Sequence, residues 1–347
     1  ALFTREQLYN RCGLRSLGRT GNLLRAGGGQ SGGTGWLADL GLVDAHHHFW
    51  QLDRFPYRWL SPSAPPARFG DKAAIRRDYL PPDYLREMDG ASLAASVHVQ
   101  ANCGADDPVE ETRWLQELSD RTGWPSAAVA EVDLTDDDAI ALIDRHRRHE
   151  LVRGIRTPVA WDEAGRWRVA ARPDVIREKP FRQAARHLAD LDLALECVVV
   201  PSQLEDIAAF ARLEDGLTIV INHFATLEPD REGNAALWRA GISALADLPN
   251  VFVKLSGLWT VDKGWSAPIL KPHVSHLLDE LGASRVMWGS NLPVEGVNCP
   301  LQRQFEQSRA MLADRGRDEI AQIFAGTAQR VYRLSLPDRK RADAPEQ

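Results

Sequence analysis

LVDAHHH (Leu42–His48) is the stretch on which the fold turns. Its apolar opening and polar close read as a short strand with chemistry at the C-terminal end. Strand alternation puts Asp44, His46 and His48 on one face and His47 on the other. A lone histidine reads as a packed or surface residue. Two imidazoles on one strand face can aim together at one metal ion or one substrate.

Seven further runs of this kind follow: Ala94–Ala101, Ala127–Asp133, Val152–Thr157, Leu193–Val200, Leu217–His223, Val251–Ser256 and Val286–Ser290. Helical patterns separate them, and a last one covers Arg317–Tyr332. Strands alternating with helices pair in parallel through right-handed crossovers. Eight such units point to an α/β protein, a closed (β/α)8 TIM barrel. The runner-up is an open doubly wound sheet, but no glycine-rich fingerprint follows the first strand.

Polar residues recur where these strands end. His98 and Gln100 close the second, Glu131 and Asp133 the third, and Arg156 the fourth. Glu196 lies on the fifth, His223 ends the sixth, and Lys254 sits inside the apolar seventh, VFVKLSG. Trp259 follows the seventh and Asn291 the eighth. Polar groups at the C-terminal ends of several barrel strands mark an active site, although some will be supporting groups. Lysine is rare in this chain, and one within an apolar strand is atypical of a solvated side chain.

A longer window, VDAHHHFWQLDRFPYRWL (Val43–Leu60), resembles the opening of the amidohydrolase superfamily in its amidohydrolase-2 branch. That branch includes sugar lactonases such as fuconolactonase, and pyrone-dicarboxylate lactonase. The likeness continues through SVHVQA, VRGIR, INHF, NVFVKLSGL and RVMWGSNLPVE, over roughly residues 42 to 334. HxH alone is weak; with the later motifs in this order it is specific. The resemblance implies that His46 and His48 bind a divalent metal, usually zinc, or hold the same positions in metal-free members. It implies that His223 binds metal or orients substrate, and that Arg156 anchors substrate. Where the family has an aspartate that ligands metal and activates water, this chain has Asn291. Asparagine is neutral, takes no proton from water, and is a poor zinc ligand beside carboxylate. Asn291 reads as native to a subgroup with SNxPV in this turn, which Val294–Glu295 fits; a substituted aspartate is the alternative. Either way the expected metal is weakly held or absent.

The function expected is hydrolysis of a lactone, or a related cyclic ester or amide. With metal, the cation acidifies water and polarises the carbonyl. Without it, His46, His48, Lys254 and Arg156 supply positive charge and donors at the oxyanion, and His223 or Glu196 activates water. Gln100, His98 and Trp259 are expected to line the substrate, which rim arginines would suit if it is carboxylated. A decarboxylase or dehydratase on the same barrel is one alternative. A barrel that has lost catalysis and only binds a ligand is another.

Composition narrows the partners. The chain is 44% hydrophobic and 26% charged, an ordinary globular balance. Net charge is −6, so there is no basic footprint for nucleic acid. The longest apolar runs, such as Leu193–Pro201, are too short to span a membrane. Cys12, Cys103, Cys197 and Cys299 form no CxxC pair and read as reduced thiols of a cytoplasmic protein. Residues 1–41 read as an N-terminal extension, a flexible or docking arm with the glycine-rich run Ala26–Gly35. Its leucines need cover if ordered, which makes a homo-oligomer contact an expectation. Residues 42–336 form the barrel and 337–347 a charged tail.

Overall fold

Runs of valine, isoleucine, leucine and alanine, too short for helices and bounded by polar turns, build the strands. The structure is a computed structural model that describes residues 36–37 and 40–336. The strands are β1 (Leu42–His47), β2 (Leu93–Val99), β3 (Ala127–Glu131), β4 (Val152–Arg156), β5 (Ala194–Cys197), β6 (Ile219–Ile221), β7 (Val251–Leu255) and β8 (Val286–Trp288). They pair in parallel in sequence order. The ring is joined just past β8, where Asn291 N donates to His46 O at 2.7 Å and His48 N to Leu292 O at 2.8 Å. This is the (β/α)8 barrel the alternation pointed to.

At least one helix follows each strand, the main ones being α1 (Pro81–Glu87), α2 (Val109–Thr122), α3 (Ala139–Arg147), α4 (Lys179–Asp190), α5 (Leu204–Leu213), α6 (Asn234–Ala244), α7 (Ala267–Leu281) and α8 (Leu301–Met311). Their apolar faces cover the outside of the strands. Inside the barrel, Val43, Ala45, Val97, Val99, Val129, Val220, Phe252 and Met287 pack together. Burying each of the larger ones is worth about 1.5–3 kcal/mol.

The helix expected over Arg317–Tyr332 is interrupted. Arg317–Ala321 and Thr327–Val331 are α-helical, but Gln322–Gly326 forms a π-helical turn. The extra residue per turn lets one segment serve two surfaces. Phe324 stacks on Trp288 at 5.5 Å, while Ala325, Ala328, Val331 and Tyr332 join the barrel interior. β6 and β8 are shorter than expected because the chain turns away early to present His223 and Asn291.

Most of the N-terminal extension, and the tail from residue 337, lie outside the described residues. Leu37 is buried and Trp36 meets Phe324 edge-on at 5.2 Å, so packing on the barrel begins before residue 42. Among the described residues, no helix is long and apolar enough to cross a membrane.

Candidate active site

A β-bulge at the end of β1 creates the histidine face. Asp44 pairs with Ser96, but the next partners are His47 and His98, so β1 carries one extra residue. Ala45 faces the interior, and beyond the bulge His46 and His48 face it too. Asp44 falls on the other side with His47. Tyr84 of α1 donates to Asp44 Oδ2 at 2.9 Å and stacks on His47 at 4.4 Å. Simple alternation therefore misplaced Asp44, because the bulge shifts the phase. Its carboxyl accepts from Ser290 N (2.9 Å) and Ser290 Oγ (2.6 Å), lashing the turn after β8 to β1. Burial pushes this carboxyl up to about 6, against those hydrogen bonds.

Three imidazoles then meet. The ring of His46 lies 4.6 Å from that of His223 and 5.1 Å from that of His48. Both ring nitrogens of His46 are buried without a hydrogen-bond partner among the described residues. His48 Nδ1 lies 2.7 Å from Val99 O, so in the neutral ring this nitrogen carries the proton and donates. His223 Nδ1 lies 3.2 Å from Ser256 Oγ. Burial is the main force holding all three below the usual histidine range, His48 at about 3, and the charges of Arg156 and Lys254 add to it for His46 and His223. They are neutral, lone-pair-bearing rings at neutral pH.

Two glycines make room. A Cβ on Gly289 would lie 2.7 Å from His46 Cβ, and one on Gly257 would lie 2.2 Å from His223 Nδ1. Gly257 also has φ +67°, a backbone that favours glycine.

Asn291 adopts φ +50°, which asparagine tolerates better than most residues. Its Nδ2 donates to Thr260 Oγ1 and to Glu295 Oε2, both at 3.0 Å, which turns Oδ1 toward His48 Nε2 at 3.2 Å. Glu295 also accepts from Trp259 N at 2.7 Å and Thr260 Oγ1 at 2.6 Å. Burial pushes its carboxyl up to about 7. Glu295 joins the site although no apolar strand run leads to it. Its signal was its place four residues after Asn291, in the turn where it can reach back.

Glu196 and Lys254 lie together inside the barrel and are fully buried. Lys254 Nζ donates to Glu196 Oε2 at 2.7 Å, Asn222 Nδ2 donates to the same oxygen at 2.8 Å, and Tyr332 donates its hydroxyl to Oε1. Both carboxylate oxygens are thus committed, so the reading of Glu196 as the water-activating base is corrected: it is a clamp. Burial lowers the Lys254 ammonium, opposed by Glu196. Tyr332 joins this clamp from the C-terminal segment, unforeseen because nothing local in YRLS indicates a barrel interior.

Arg156 enters the site from β4, its Nη2 donating to Gln100 O at 2.7 Å. Its charge is felt by His46, His48, His98 and His223. Gln100 spends its side-chain oxygen on Asn102 N at 2.7 Å. His98 points outward from β2, accepting from Phe49 N at 3.0 Å with Glu111 of α2 at 3.8 Å. That corrects its assignment to the substrate face: Val97 and Val99 hold the inward positions. Trp259 is buried, with its indole N–H donating to Trp265 O at 3.0 Å, so it braces the Glu295 turn instead of offering a free edge to substrate. Asp133 caps its own turn through Thr135.

The fit to a divalent cation rests on donor chemistry. No set of three or more His, Cys, Asp or Glu side chains is arranged to hold a metal among the described residues. The donors that converge are two neutral imidazoles, His46 and His48, and the amide oxygen of Asn291. Nε2 and Oδ1 meet as two acceptors with no proton between them when His48 is neutral, and the ring nitrogens of His46 have no hydrogen-bond partner among the described residues. These residues suit a cation but bring no negative charge to it.

An amidohydrolase family model matches residues 43–334. An L-fucono-1,5-lactonase of Burkholderia ambifaria is 35% identical over 305 residues, 85% of this chain and 96% of the relative. An L-fucono-1,5-lactonase of Burkholderia multivorans is 31% identical over 312 residues, 85% of this chain and 97% of that one. A solved amidohydrolase of Burkholderia multivorans with bound zinc superposes with a TM-score of 0.69 at 27% identity, covering 85% of this chain and 99% of that one.

Proposed function

This chain belongs to the amidohydrolase family, and we propose that it opens a lactone ring with water, on a sugar lactone of the L-fucono-1,5-lactone kind. The observation that carries the reading is the convergence of His46, His48, His223 and Asn291 at the C-terminal mouth, in a chain 35% identical to a named lactonase.

Lactone hydrolysis needs a place for the carbonyl oxygen as it gains charge, a water on the carbonyl carbon, and a proton for the leaving ring oxygen. Arg156 supplies fixed positive charge toward that oxygen. His223, held through Nδ1 by Ser256, leaves Nε2 as the acceptor for the water's proton. Water adds to the carbonyl carbon, the bond to the ring oxygen breaks, and the proton taken by His223 passes to that oxygen. The products are a hydroxyl and a carboxylic acid, which ionises. Asn291 takes no proton in this scheme; it accepts hydrogen bonds and orients. His46, His48 and Asn291 would hold a divalent ion, zinc in our reading, which when bound acidifies water and polarises the carbonyl. The buried free thiols Cys103, Cys197 and Cys299 support a cytoplasmic protein.

The test is a panel of aldono-1,4- and 1,5-lactones followed by proton release, with carbon dioxide assayed in parallel. Ring opening of a 1,5-lactone without carbon dioxide is expected. Carbon dioxide release with no ring opening would replace this reading by a decarboxylase.

A further inference from the structure

The segment that carries His223 has an unusual backbone. His223, Phe224, Ala225 and Thr226 have φ of 52°, 54°, 51° and 46°, so four consecutive non-glycine residues are left-handed. Such residues visit this region singly as a rule, since Cβ crowds the following carbonyl. A run of four persists only where surrounding contacts over-determine it.

Those contacts are present and buried. Thr226 Oγ1 donates to Val199 O, just after β5, at 2.6 Å. Trp238 of α6 donates its indole N–H to Phe224 O at 2.8 Å, and its ring lies 4.8 Å from the Phe224 ring. Before the turn, Asn222 N donates to Cys197 O at 2.8 Å and Asn222 Nδ2 to Glu196. The turn is pinned at both ends and at its middle carbonyl. A right-handed turn here would carry the His223 ring away from His46 and from the space above Gly257.

We propose that Thr226 and Trp238 are positioning residues: they hold the left-handed turn that aims His223 at the reacting centre. The inference rests on the lactonase reading for its kinetic test alone. Thr226→Val keeps the shape and removes the donor; Thr226→Ser restores the donor; Trp238→Phe removes the indole N–H and keeps a ring.

In the full-length protein, Thr226→Val and Trp238→Phe should lower kcat by about tenfold or more with KM within about twofold, because misplacement by an ångström costs up to about a hundredfold. Thr226→Ser should recover most of the loss. The ring 15N resonances of His223 should shift in Thr226→Val and return in Thr226→Ser. Wild-type kcat in folded Thr226→Val would overturn the proposal. If the wild-type protein opens no lactone, the lactonase reading falls while the turn is still judged. His223 resonances that are unmoved in Thr226→Val then overturn it, and shifted ones support it.

Discussion

His48 Nε2 and Asn291 Oδ1 face each other at 3.2 Å, and in the neutral ring neither atom carries a hydrogen. The cause lies behind each. Val99 O takes the proton side of His48, and Glu295 with Thr260 takes both amide hydrogens of Asn291. Two acceptors held this close favour a cation or an outside donor.

Asn291→Asp supplies the missing negative charge at this point. Zinc affinity should rise by about 10- to 100-fold, the scale on which changes around metal ligands move affinity. Isothermal titration with zinc on chelator-treated protein measures it. Unchanged affinity would show that Oδ1 does not reach the ion.

Glu196 and Lys254 form a buried pair with no solvent to screen it. Removing one partner strands the other, at a cost of about 3–5 kcal/mol. Glu196→Gln should therefore lower the urea midpoint strongly, and adding Lys254→Met should recover much of the loss. A Glu196→Gln protein of full stability without turnover would return Glu196 to the role of base.

Glu111 sets a stability slope with pH. Burial raises its carboxyl from 4.5 to about 7, so between these values the folded protein holds a proton that the unfolded chain has lost. Stability from this group is full below about 4.5 and lost as pH rises through 7, a few kcal/mol at most. Comparing urea unfolding at pH 5 and pH 8, Glu111→Gln should fall less than wild type does. An equal drop in both proteins would mean that Glu111 ionises normally.

Gly257→Ala places a Cβ 2.2 Å from His223 Nδ1 at a φ of +67°. The His223 ring must move, so turnover should fall by about a hundredfold, with about 1–3 kcal/mol of stability lost to crowding. Steady-state kinetics with thermal unfolding reads both. Wild-type turnover would mean that the ring has room the geometry denies it.

The domain boundary remains our proposal. All the barrel's strands and helices follow residue 40, so a protein lacking residues 1–35 should keep its fold. Its mass in solution and its activity decide the role of the segment. Lost association with activity kept marks an oligomer arm, and the reverse marks a lid over the mouth. Collapse of the fold would place the segment within the domain.

Much was determined by the sequence alone. Eight apolar runs separated by helical patterns specify parallel pairing, because crossover helices leave few other closures. The HxH pair, the histidine in INHF, the lysine in KLSG and the asparagine in GSN were legible because each ends or interrupts an apolar run. Which way these side chains point was decided only in three dimensions. One extra residue at the β1 bulge turns Asp44 outward while His46 and His48 face in. Glu196 looked like a free carboxylate until Tyr332, 136 residues away, and Lys254 enclosed it. His98 and Trp259 sit near the site in sequence, yet strand phase and a loop contact spend them elsewhere. Local pattern reports burial and period; the partner of a buried polar group is set by long-range packing, which no local window contains.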